Sequence, residues 1–168
     1  SHLPVDTGMA FVLVQHLDPK HDSQLAGLLE KGTLMPVYEA SDGMSLRPNQ
    51  VYVMPSNVLM TVASGRLVLA PRGDATLPID CFLRSLAADR GELAVGVILS
   101  GTGADGTAGV QAVKTAGGIT FAEDSSSARF PAMPESAVAS GFVDFVLSPE
   151  KIGIELARIN EVRSEEIF

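Results

Sequence analysis

Apolar positions along the chain fall into short runs that alternate with segments of helical period, the pattern of a mostly parallel sheet covered by helices. Phe11-Val12-Leu13-Val14-Gln15 is apolar at successive positions and does not alternate, which predicts a fully buried strand over 11–15. Residues 22–31 put Leu25, Leu28 and Leu29 on one helical face and stop at Gly32. A short strand is expected over 35–39, with Pro36 confining it to a strand start or an edge. Strands over 51–54 and 67–70 flank 58–63, and Ser64-Gly65-Arg66 has hairpin-turn chemistry, so the middle third makes an antiparallel excursion.

After a polar loop over 71–76, Leu77-Pro78 opens the clearest helix. Ile79, Phe82, Leu83 and Leu86 lie at i, i+3, i+4 and i+7, and Gly91 closes it. Strands over 94–99, 119–122 and 142–147 then alternate with helices over 107–116, 134–140 and 149–161. No repeat, low-complexity tract or linker divides the chain. The expected fold is one α/β domain over 1–168, doubly wound, with a mostly parallel sheet, helices on both faces and an antiparallel hairpin excursion. Its first strand begins only near residue 10, whereas such folds usually open with a strand whose turn faces the ligand crevice. The sequence reads as a domain that starts one βα unit late.

Composition narrows the function classes. Hydrophobic residues make up 46 % and charged residues 19 % of the 168, a globular balance. Twelve Lys and Arg against twenty Asp and Glu give a net charge of −8, which disfavours a nucleic-acid partner. Cys81 is alone, so neither an intrachain disulfide nor a Cys-based zinc site can form. No apolar stretch approaches the roughly 20 residues of a membrane span. The opening Ser1-His2-Leu3-Pro4-Val5-Asp6 has neither the basic start nor the apolar run of a secretion signal. A soluble, cytoplasmic domain without membrane insertion is expected.

Ligands of doubly wound folds gather beyond the carboxyl ends of the strands. Three groups fall there: Gln15-His16-Leu17-Asp18, the turn from Ser100 to Gly106, and Glu123-Asp124-Ser125-Ser126-Ser127. Gly101, Gly103 and Gly106 fit Gly-x-Gly-x-x-Gly between a strand and a helix, and Glu123 follows Gly101 by 22 residues, so a dinucleotide-binding oxidoreductase is one reading. Asp105 opposes it, because a carboxylate inside that turn would face the pyrophosphate. Asp105 could instead be a helix N-cap and nothing more.

His16, where a strand surfaces, suits a general base, although a lone histidine is more often packed or solvated. His2 and His21 read as bland. Asp18 and His21 beside His16 supply too few ligands for a metal, so no metal site or cofactor is expected. Cys81 reads as a packed small side chain. An imidazole and a carboxylate 89 residues apart at the mouth of one sheet suggest a Ser–His–Asp arrangement. Neither Ser100, which precedes the turn, nor Ser56, which follows Pro55, has nucleophile-elbow context.

The segment Val97-Ile98-Leu99-Ser100-Gly101-Thr102-Gly103-Ala104-Asp105-Gly106-Thr107-Ala108-Gly109 closely resembles the aspartate turn of the CheB-type protein-glutamate methylesterases of bacterial chemosensing. Phe11-Val12-Leu13-Val14-Gln15-His16-Leu17 resembles their histidine strand end. Shorter likenesses lie at Val51-Tyr52-Val53-Met54-Pro55-Ser56-Asn57, Ala116-Gly117-Gly118-Ile119-Thr120 and Phe130-Pro131-Ala132-Met133-Pro134-Glu135-Ser136-Ala137. The likeness runs from about residue 9 to about residue 150 in the family's order, and is nearest to versions joined to a CheR-type methyltransferase.

That resemblance implies His16 as triad base, Asp105 as its orienting acid and the backbone N–H of Thr102 as an oxyanion-hole donor. A Met commonly stands at the Thr102 position in the stand-alone enzymes, a change to which a backbone donor is indifferent. The implied reaction is hydrolysis of glutamate γ-methyl esters on chemoreceptors, with deamidation of glutamine by the same route. The implied partners are methylated chemoreceptor cytoplasmic helices and fused receiver or methyltransferase domains. The family's nucleophile lies in a Gly-x-Ser-x-Gly-Gly turn upstream of the histidine, which this sequence lacks. A chain cut within the domain, without its first strand and nucleophile turn and inactive or nearly so by itself, is the expectation. A non-catalytic regulatory module is the remaining alternative.

Overall fold

The computed structural model describes residues 3–15, 25–74 and 77–165. The apolar runs become strands β1 (Phe11–Leu13), β2 (Val37–Glu39), β3 (Val51–Val53), β4 (Val58–Ala63), β5 (Arg66–Pro71), β6 (Val95–Ile98), β7 (Ile119–Glu123) and β8 (Phe145–Leu147). Helices α1 (Leu25–Gly32), α2 (Pro78–Arg90), α3 (Thr107–Thr115), α4 (Ala132–Ala139) and α5 (Pro149–Glu165) separate them, and a 3-10 turn over Gly91–Leu93 leads into β6.

The strands form two parallel sheets and one antiparallel hairpin. The first sheet has the order β1-β3-β2, with Phe11 and Val37 both paired to Val51. The second has the order β6-β7-β8, with Val95 opposite Ile119 and Phe121 opposite Phe145. The hairpin β4-β5 turns through Ser64 and Gly65, both at positive φ (49° and 70°), which suits the right-handed twist of its strands. Asp89 of α2 accepts hydrogen bonds from the N–H groups of Ser64 and Gly65, tying the hairpin to that helix.

Strand alternation explains why helices cover both faces of β6-β7-β8. Ala94 and Ile98 face one side and join Ile79 and Leu83 of α2, Val110 and Val113 of α3, and Met133 and Ala137 of α4. Val95 and Val97 face the other side and join Phe121 with Ile152 and Leu156 of α5. A further cluster holds Tyr52, Met54, Met60, Val62, Leu67 and Phe82 under the hairpin. Val14 and Leu86 touch both the α2–α4 cluster and the hairpin cluster, so the core runs without a break from β3 to β6. Each large apolar side chain buried in this way contributes about 1.5–3 kcal/mol.

Four sequence expectations change in detail. The run 11–15 is strand only to Leu13 and is half-buried, because β1 has one strand neighbour among the described residues and lies at the sheet edge. The parallel strands form two three-stranded sheets, since no backbone hydrogen bonds join β1 to β6 among the described residues. The helix predicted over 22–31 is described from Leu25, and Leu28 on its apolar face is 63 % exposed. The strand predicted over 142–147 begins at Phe145, because Phe142 packs against the core cluster of α2, α3 and α4 and Asp144 turns its carboxylate to the N–H of Thr120 (3.0 Å). Among the described residues no helix is long and apolar enough to cross a membrane.

Candidate active site

Beyond Ile98 the chain makes a turn held on one side by β7 and the segment after it. Ser100 donates its N–H to Glu123 Oε2 (2.8 Å), and Ser100 Oγ accepts the N–H of Phe130 (2.9 Å). The N–H of Gly101 donates to Phe130 O (2.9 Å), and Gly101 O accepts from the N–H of Met133 (3.0 Å). A Cβ on Gly101 would overlap Met133 Cε, so glycine there lets the α4 entry close over the turn. The hydroxyl of Ser127 donates to Glu123 Oε1 (3.1 Å), fixing the carboxylate from its other side.

With its flank strapped in this way, the turn leaves Thr102, Gly103 and Ala104 exposed. Among the described residues, nothing accepts a hydrogen bond from the N–H of Thr102 or of Gly103. The tip thus carries exposed backbone donors on a rigid base.

Below the tip the chain dives inward. Asp105 is 3 % exposed, and its two oxygens accept the N–H groups of Ile79 (3.0 Å) and Asp80 (2.8 Å). These are donors of the first turn of α2, which have no partner inside the helix, and Pro78 ahead of them has no N–H to satisfy. Asp80 sends its own buried carboxylate the other way, accepting the N–H of Gly109 in the first turn of α3 (2.6 Å). Two helix N-termini, each with its positive dipole end, therefore meet across two carboxylates.

The glycines serve this junction. Gly106 has φ 99°, and a Cβ there would stand 2.5 Å from Ile98 Cδ1 and 3.1 Å from Ile79 Cγ2. A Cβ on Gly109 would stand 2.7 Å from Leu83 Cβ. Both glycines let α2 and α3 approach closely.

This geometry corrects two sequence alternatives. Asp105 does not cap its own helix, since the N-cap of α3 is Gly106 in left-handed conformation; its carboxylate caps α2 instead. The dinucleotide reading fails because Ile79 and Ile98 fill the space over the third glycine. The first turn of α3 is also already engaged by Asp80, and Glu123 is committed to Ser100 and Ser127.

His16 lies outside the described residues, as do His2, Asp18 and His21. Asp105 and Thr102 thus share one turn, the carboxylate beneath and the backbone donor above, while the described chain approaches His16 through Val14 and Gln15 after β1. Cys81 is half-buried on α2. Among the described residues no group of three His, Cys, Asp or Glu side chains could hold a metal ion. Asp80 was missed by sequence reasoning. An acid in the first turn of a helix is the ordinary complement to that helix's own dipole, and no local signal sends its oxygen to another helix.

The family model for CheB methylesterase matches residues 1–156. The crystal structure of the Thermotoga maritima CheB methylesterase catalytic domain aligns with a TM-score of 0.83 at 30 % identity, over 94 % of this chain and 87 % of that one. A protein-glutamate methylesterase/protein-glutamine glutaminase of Paramagnetospirillum magneticum is 36 % identical over 152 residues, covering 88 % of this chain and 43 % of that protein. An uncharacterized 104.1 kDa protein of Rhodobacter capsulatus is 48 % identical over 131 residues, covering 77 % of this chain and 14 % of that protein. The chain spans less than half the length of these last two relatives. None of the four is named as an oxidoreductase.

Proposed function

The chain belongs to the CheB methylesterase family, and on that premise we propose that it supplies the acid–base and oxyanion half of a hydrolase acting on glutamate γ-methyl esters of chemoreceptors. The observation that carries this reading is a single turn with a buried carboxylate, Asp105, fixed from below by two backbone donors, and N–H groups at its exposed tip that have no partner among the described residues.

In this reading His16 is the general base. It takes the proton of a serine hydroxyl as the oxygen attacks the ester carbonyl. Asp105 selects the imidazole tautomer and stabilises the imidazolium that forms. Its two backbone hydrogen bonds lock its orientation before substrate arrives, so little reorganisation accompanies the reaction. The N–H of Thr102 donates to the carbonyl oxygen as it becomes an oxyanion. His16 returns the proton to the departing methanol, and water then releases the glutamate. Deamidation of glutamine follows the same path with ammonia as the leaving group. No cofactor takes part.

No Gly-x-Ser-x-Gly-Gly turn occurs in the 168 residues, and in this reading the attacking serine is not assigned to any of them. The partners in this account are methylated cytoplasmic helices of chemoreceptors, which places the reaction in the cytoplasm, and receiver or methyltransferase domains carried on the same polypeptide.

Methanol release from methylated receptor helices, assayed with the full product of the gene, tests the proposal. Release that is abolished by H16A and lowered by a thousandfold or more in D105N supports it. No release from the intact protein favours the non-catalytic regulatory module.

A further inference from the structure

We infer that Asp80 is a positioning residue of this hydrolase: by holding α3 against α2 it fixes the aim of Asp105, an inference that rests on the esterase reading above. The main chain at Asp80 donates to Asp105 Oδ1, while its carboxylate accepts from Gly109. Asp105 lies two residues before the start of α3 and Gly109 lies in that helix's first turn, so the two contacts close a ring: Asp105, Gly106 to Gly109, Asp80, and back to Asp105. Within a closed ring the carboxylate of Asp105 cannot rotate without breaking a bond to α2 or shifting the start of α3.

The cost of this arrangement argues that it has a purpose beyond capping. Asp80 is 6 % exposed and Asp105 3 %, two carboxyl groups buried at one junction, and taking such polar groups out of water is unfavourable unless each is hydrogen-bonded. A helix in need of an N-terminal acceptor alone is served as well by Ser, Thr or Asn. The ring also has no slack, since Gly106 is packed against Ile79 and Ile98, and Gly109 against Leu83. Loss of the Asp80 acceptor would free the first turn of α3 at the residue nearest Asp105. Asp80 touches no reacting atom; it acts only through Asp105.

The test follows the imidazole of His16 by NMR titration of the histidine-labelled full gene product, with H16Q assigning its signal. A carboxylate partner stabilises the imidazolium, so D105N should lower the His16 pKa. D80A should lower it by at least half as much, and D80N, which keeps an acceptor oxygen, should restore most of the wild-type value. D144A serves as the control, because Asp144 braces the opposite end of β7 through Thr120, and it should leave His16 unmoved. Should D80A fail to fold, D80S is read in its place, with a value between those of D80N and D105N expected.

The inference is overturned if D105N lowers the pKa while the Asp80 variants leave it at the wild-type value, or if D144A lowers it as far as D80A does. A D105N protein with unchanged His16 titration overturns the esterase reading itself, a result distinct from either of these.

Discussion

Leu83 of α2 occupies the place a side chain on Gly109 of α3 would need, its Cβ only 2.7 Å from where that of residue 109 would be built. An exposed glycine inside a helix normally costs about 1 kcal/mol relative to alanine. At this position the sign reverses, because the helices are already in contact through backbone and the Leu83 branch. G109A is expected to destabilise the domain by about 1–3 kcal/mol through overpacking. A lower urea midpoint at unchanged slope would show it; a raised midpoint would mean that α2 and α3 are not so close.

Removal of the Asp105 carboxylate should weaken the fold as well as the chemistry. D105A leaves the N–H groups of Ile79 and Asp80 without their buried acceptor, a loss of about 2 kcal/mol from capping and unsatisfied donors. For a domain of this size that is roughly 4–8 °C in melting temperature. Calorimetry of D105A and D105N checks it, with D105N the milder because one acceptor oxygen remains. Equal melting of wild type and D105A would refute the capping role.

Most of the architecture was legible in the sequence, since each strand and helix of the last two thirds carries its own period and stop signal. Gly91 after the Ile79-Phe82-Leu83-Leu86 stripe and Ser64-Gly65 between two β-branched runs are local signals with one structural meaning. What escaped were relations between distant segments. Nothing near Asp80 or Asp105 tells that their side chains cross to each other's helix, because the donors they meet become neighbours only when α2 and α3 pack. The half-burial of β1 is likewise decided by how many strands flank it. At the site, the turn carrying Thr102 and Asp105 was legible through its resemblance, whereas its strap from Glu123 and Phe130 was not.

That strap gives a third expectation. E123A should release the Ser100 N–H and speed its hydrogen exchange, with the N–H of Gly101 following as the segment around Phe130 loosens. E123Q, which still offers one acceptor oxygen, should exchange far more slowly than E123A. Exchange mass spectrometry of peptides spanning the turn distinguishes them, and identical protection in all three proteins would show that the strap does not hold the turn.

The acid limb of stability should report Asp144. Burial is the largest influence on this carboxyl and pushes its pKa up. The Lys114 hydrogen bond, the Thr120 N–H, the Lys114 charge and the Thr120 hydroxyl together outweigh burial and hold it below the ordinary 3.8. With the folded-state value depressed, the contribution of Asp144 is complete above the unfolded-state value and disappears as pH falls through the folded one. The stability gap between wild type and D144N should therefore be constant near neutrality and shrink below about pH 4. Urea titrations at neutral and acid pH measure it; a gap that widens on acidification would contradict the assignment.

The central claim is that His16 and Asp105 act as one pair. A crystal structure that resolves both side chains tests this most directly. The account predicts His16 Nδ1 within about 2.7–2.9 Å of an Asp105 carboxylate oxygen, with the other ring nitrogen turned toward the exposed tip at Thr102. An imidazole directed into a different pocket, out of reach of Asp105, would contradict it.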